Sequence, residues 1–75
     1  MNMHPIEALC KEYDVTRYWL AKQSGVAETA FTNAITRNST VDDMRVGTFR
    51  KIANALEEDV EIIIKKAYEY EKTLD

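Results

Sequence analysis

Turn-forming residues are scarce in this 75-residue chain, which holds two glycines and one proline. A sheet protein needs many turns and alternating β-branched runs. Neither is present, so the composition points to helices with short connections. The single cysteine, Cys10, excludes an internal disulfide and suits a reducing, cytoplasmic setting. The single histidine, His4, has no company for a metal site and reads as a helix cap or a frayed terminal residue. No glycine-rich phosphate cradle, His/Cys/Asp grouping or carboxylate pair with a nearby base occurs. The sequence therefore implies no enzyme, no cofactor and no metal. No apolar run approaches the roughly 20 residues that span a bilayer, and no signal peptide stands at the start, so no membrane partner is expected.

What is present is a globular balance, 45% hydrophobic and 31% charged. It suits one domain over residues 1–75, near the lower limit for a self-sufficient core. A net charge of −3, taken as a sum, argues against a nucleic-acid partner. Its placement argues otherwise. Between residues 16 and 54, Arg17, Lys22, Arg37, Arg45, Arg50 and Lys51 outweigh Glu28, Asp42 and Asp43, while both ends of the chain are acidic.

His4-Pro5 opens a first helix, where the missing N–H of proline would have no partner anyway. Ile6, Leu9, Cys10 and Tyr13 follow at i, i+3, i+4 and i+7, a core stripe on which Cys10 is an inert thiol. Thr16 predicts the N-cap of a second helix. Leu20, Ala21 and Ser24 share one side of it, and Gly25 ends it in the left-handed region. Val26 turns into the core. Tyr18 and Trp19 lie off the stripe. Trp19 is open between burial against a neighbouring helix, a dimer contact and a ring beside a phosphate backbone. Residues 38–46 form a polar connection anchored by Val41, Met44 and Val46. A fourth helix from about Thr48 turns Phe49, Ile52, Ala53 and Leu56 inward and ends at Glu57-Glu58. Asp59 caps a fifth over 60–74, with Val60, Ile63, Ile64, Ala67 and Leu74 on its core side. Ile62, Tyr68 and Tyr70 lie off that stripe, where they either cover the core edge or make contacts in a homodimer.

The stretch Thr16–Asn38, TRYWLAKQSGVAETAFTNAITRN, carries most of the functional signal. At about 100° per residue, residues 27–36 gather Ala27, Ala30, Phe31, Ala34 and Ile35 on one side. Glu28, Thr29, Thr32, Asn33 and Thr36 fill the other. A solvated helix face is ordinarily dressed in lysine and glutamate. This one holds short hydrogen-bonding side chains and no lysine, a surface suited to polar contact at close range. Arg37 and Asn38 close the helix with a cation and a left-handed residue.

Leu20-Ala21, Gly25-Val26, and Phe31 and Ala34 as inward positions resemble the phage repressor and Cro type of helix-turn-helix, the lambda-repressor-like, XRE-type family. Val46, Phe49, Ile52-Ala53, Leu56, Val60 and Ile63-Ile64 resemble that family's fourth and fifth helices, so the likeness runs from about Ile6 to Ile64. It implies an all-α, five-helix domain with its helix-turn-helix at 16–38. It also implies sequence-specific binding of double-stranded DNA by a homodimeric transcriptional regulator, a repressor. The third helix, 27–37, would lie in the major groove and the second would cross the backbone. Carried over by position, Glu28, Thr29, Thr32 and Asn33 would read base edges. Asn33 suits adenine, Glu28 a cytosine amino group, and threonine a hydrogen bond or a thymine methyl. Glu28 has an equal alternative as a stabiliser of the helix dipole, worth about 0.3–1 kcal/mol. Thr16, Arg17, Arg37, Asn38 and Arg45 would meet phosphates. Two features depart from the pattern. Ala27 stands where a hydroxyl cap is expected, and Asp42-Asp43 stand where bases are common.

A reading of another class stands beside it: a protein-interaction module or antitoxin-like adaptor, engaging a protein partner through the acidic C-terminal helix. The overall acidity and Asp42-Asp43 favour that reading, and the basic middle favours DNA.

Overall fold

The computed structural model describes residues 3–72, which form five α-helices and no strand. They are α1 (Pro5–Glu12), α2 (Arg17–Ser24), α3 (Glu28–Thr36), α4 (Val46–Ala55) and α5 (Val60–Lys72). No helix among the described residues is long and apolar enough to cross a membrane.

Local rules place the ends of these helices. Pro5 occupies the first turn of α1. Thr16 caps α2 by accepting the Trp19 N–H at 3.0 Å, and Gly25 (φ 81°) terminates it. The other three determined ends share one design. Asp14, Asn38 and Glu57 take left-handed backbone (φ 55°, 53° and 55°) after α1, α3 and α4. The next N–H, from Val15, Ser39 and Glu58, returns to the carbonyl of Cys10, Ala34 and Ala53 at 2.9 Å each time. This is the Schellman closure, made here without a glycine.

The core joins Ile6 and Leu9 of α1, Leu20 of α2, Phe31 of α3, Phe49 and Ile52 of α4, and Ile63 and Ala67 of α5. Helix α5 lies against α1 and α4, and α2 packs on α1, α3 and α4. Helix α3 touches only α1 and α2 among the helices, so most of its surface is outward.

Several expectations are corrected. Helix α4 starts at Val46 and ends at Ala55, and Val46 is 54% exposed, so it opens a helix and anchors nothing. Helix α3 is one residue shorter at each end than 27–37, and its apolar side is divided. Phe31 is buried, Ala34 and Ile35 are half-buried, and Ala27 and Ala30 are exposed, because no helix packs against the Ala30 side. His4 is not frayed. It is buried, its Nδ1 accepts the Ile6 N–H at 3.1 Å, and its Nε2 lies 2.8 Å from the Ser39 carbonyl. With Nδ1 accepting, Nε2 carries the proton and donates. Leu74 and the end of the expected 60–74 helix lie outside the described residues.

Candidate functional site

The exposed side of α3 is built by one buried residue. Phe31, 1% exposed, pins the helix to the core, which turns the side opposite it to solvent. Glu28, Thr29, Thr32 and Asn33 are all exposed there, and none of their side chains has a hydrogen-bond partner among the described residues. Glu28 is also the acid of the first helical turn, so its dipole role and a binding role coexist. Ala27 supplies no side-chain cap, which leaves the first amide donors of α3 open.

Asn33 and Arg37 continue from this face into an open cleft of 320 Å³ between α3, the 37–45 connection and α4. Arg45 and Thr48 form its far wall, and Phe31, Val26 and Met44 contribute apolar floor. The structure thus brings Asn33, Arg37 and Arg45 together. Arg45 is the N-cap of α4 and makes no side-chain cap bond, so that helix also presents uncapped amide donors beside the cleft. Thr48 and Ser39 also line the cleft and were not singled out from sequence. A threonine three positions after Arg45 was the available signal, and the late placement of the α4 start concealed it.

Thr16 and Arg17 stand apart from this cleft, at the N-terminus of α2. The Thr16 oxygen already accepts the Trp19 amide, so its hydroxyl proton remains available to an external acceptor. Tyr18 is 65% and Trp19 39% exposed on the same helix, so Trp19 is partly covered. Asn38 is exposed and holds the left-handed turn.

The two acids of the connection behave differently. Asp42 accepts the Tyr68 hydroxyl, and the neighbouring Val41 N–H donates to Glu71 Oε2 at 2.7 Å, so α5 holds this segment from behind. The bond to Asp42 raises the Tyr68 hydroxyl above the usual phenol range. Asp43 lines the cleft, where its charge opposes an anion. Arg37 and Arg45 outnumber it.

The three α5 residues assigned to a dimer contact do not share a surface. At about 100° per residue, Ile62 and Tyr68 sit roughly 120° apart, and Tyr70 is further from Tyr68 still. Tyr70 packs against the core of its own chain, and Ile62 and Tyr68 are exposed on separate sides. Elsewhere, burial pushes the Cys10 thiol above its ordinary range, with Arg17 opposing, which leaves it a poor nucleophile. No cluster of metal-ligating residues occurs among the described residues. Comparison of the chain with protein families, curated proteins and solved structures found no match.

Proposed function

We propose that the chain is a sequence-specific, double-stranded DNA-binding transcriptional regulator, acting as a repressor, with α2 and α3 forming a lambda-repressor-like helix-turn-helix. The observation that carries this reading is the outer face of α3. It offers four exposed, unpartnered hydrogen-bonding side chains and no lysine, with Arg37 and Arg45 beside it. A major groove admits one α-helix and displays donors, acceptors and thymine methyls to such residues. Glu28, Thr29, Thr32 and Asn33 read base edges, while Arg37, Asn38, Arg45, Thr16 and Arg17 hold phosphates. The turning of Asp42 toward Tyr68 supports the assignment, because it removes one of two acids from the phosphate side.

The adaptor reading has one observation in its favour, an apolar groove along α5, although α5 itself balances three acids with three lysines. A pull-down that recovers a stoichiometric protein partner, together with no shift of duplex DNA, would select it.

The DNA reading is tested by fluorescence anisotropy on duplexes over a range of salt. Arg17→Ala and Arg37→Ala are expected to weaken binding to every sequence and to lower the salt slope by about one each. Asn33→Ala is expected to relax preference at one base pair by about 1–3 kcal/mol and leave the slope unchanged. Binding that ignores salt would sink the reading.

A further inference from the structure

One turn of α5 grips two adjacent residues of the connection between α3 and α4. The Val41 N–H donates to Glu71 Oε2 at 2.7 Å, and the Tyr68 hydroxyl donates to Asp42. Tyr68 and Glu71 are three residues apart, so they share one face of the helix. Val41 is also buried in the core, which fixes the backbone here whatever the Asp42 side chain does. That side chain is exposed, and the Tyr68 hydroxyl holds it. The bond works against the surrounding charges. The hydroxyl is raised first by its bond to Asp42, then by partial desolvation, then by the charges of Asp42 and Glu71, so two carboxylates act on this one proton. On the other side of the connection, Arg37 and Arg45 line the cleft against one acid, Asp43. Neither arginine has an ion pair among the described residues. Glu71 therefore repels Asp42 while the two arginines attract it.

We propose that Tyr68 is a latch: its hydroxyl keeps the Asp42 carboxylate out of the cleft and so keeps Arg37 and Arg45 open to an anion. Without that hydroxyl, rotation about the Asp42 Cα–Cβ bond carries the carboxylate toward the arginines. Repulsion by Glu71 and attraction by the two cations drive it the same way. Two acids, Asp42 and Asp43, then stand against two arginines, and the positive charge of the cleft is cancelled. Tyr68 has no place at the proposed DNA face, so it is a positioning residue that acts through Asp42. Its effect on DNA affinity rests on the DNA reading above; the latch itself is a property of the free chain.

Tyr68→Phe keeps the ring and removes the hydroxyl. On duplex DNA at low salt it is expected to bind about fivefold more weakly than the wild type, the effect of one unit charge met at about 4 Å through water. The difference should shrink as salt rises. The double variant Y68F/D42N should bind as the wild type does, because an amide at position 42 brings no charge to the cleft. Both variants lack the hydroxyl, so a merely structural role for Tyr68 would weaken them alike. Nuclear magnetic resonance without DNA reads the latch directly. The Arg37 and Arg45 Nε–H signals should shift in Tyr68→Phe and return toward their wild-type positions in Y68F/D42N, with circular dichroism confirming that the helices persist. Arginine signals that stay unmoved in Tyr68→Phe, or that move as far in the double variant, would overturn the proposal. So would DNA binding by Tyr68→Phe equal to that of the wild type, or a double variant as weak as the single one. A wild type that binds no duplex, while the arginine signals move as expected, would uphold the latch and overturn the DNA reading instead.

Discussion

Glu57 shows how much one backbone angle can matter. It closes α4 at φ 55°, a region where an L side chain crowds its own carbonyl at a cost of about 1–2 kcal/mol. Asn38, in the same role after α3, tolerates it better. Glu57→Gly is therefore expected to stabilise the fold by about 0.5–1 kcal/mol after the added freedom of the unfolded chain is subtracted. Gly25→Ala is expected to destabilise by about 1 kcal/mol although no atom lies within 4 Å of the added methyl, because its φ of 81° alone causes the strain. Thermal melts of both variants read these signs directly. A second residue-scale effect concerns alkaline pH. Burial raises the Cys10 thiol; burial and then Glu58 raise the Tyr13 hydroxyl; the bond to Glu12 raises Lys66; and the bond to Asp42 raises Tyr68. In each case the folded chain holds the proton more tightly than the unfolded chain. The stability these groups contribute is therefore complete below their ordinary ranges and is lost as pH rises through them. Stability should hold level to about pH 8 and decline beyond it, first with the thiol and then with the phenols and Lys66. In Cys10→Ala the first part of that decline should disappear from a melting-temperature profile.

Helix α3 is where element-level defects and purpose meet. It is nine residues long, buries Phe31 alone, packs only on α1 and α2, and has no side-chain cap at Ala27. Ala27→Ser should supply the missing acceptor and stabilise the protein by about 1 kcal/mol, read by chemical denaturation. An unchanged midpoint would mean that water already serves those amides well. The same helix shows what could be read from the chain. Its polar row was legible because period-3.6 spacing sorts Glu28, Thr29, Thr32 and Asn33 from Phe31 without any tertiary knowledge. The inward stripes of α1, α4 and α5 were legible for the same reason. Features that join distant segments were not. His4 reaches the Ser39 carbonyl, Tyr68 reaches Asp42, and the cleft is assembled from α3, the 37–45 connection and α4. The start of α4 was hidden too, since Val46-Gly47 carries no start signal and Arg45 is an uncapped N-cap. Burial on α3 was overread because an alanine looks equally apolar whether or not a neighbour covers it.

At the scale of the molecule, segments distant in sequence set the charge around the cleft. Arg37 and Arg45 line the cleft beside α3, while Tyr68 and Glu71 of α5 hold the 38–45 connection from behind and turn Asp42 away from the cleft. On the proposed DNA reading, the net charge of −3 opposes DNA at long range, while at the face itself Arg37 and Arg45 stand against Glu28 and Asp43, so binding should be weak at a distance and specific at contact. Selection from a random duplex library at two salt concentrations tests that claim most directly. The account predicts enrichment of one short motif, with affinity falling steeply as salt rises, and enrichment lost when Asn33 is changed to alanine. It further predicts two half-sites in inverted repeat, one for each protomer of the proposed homodimer. A library that emerges unenriched at both salt concentrations would contradict the account.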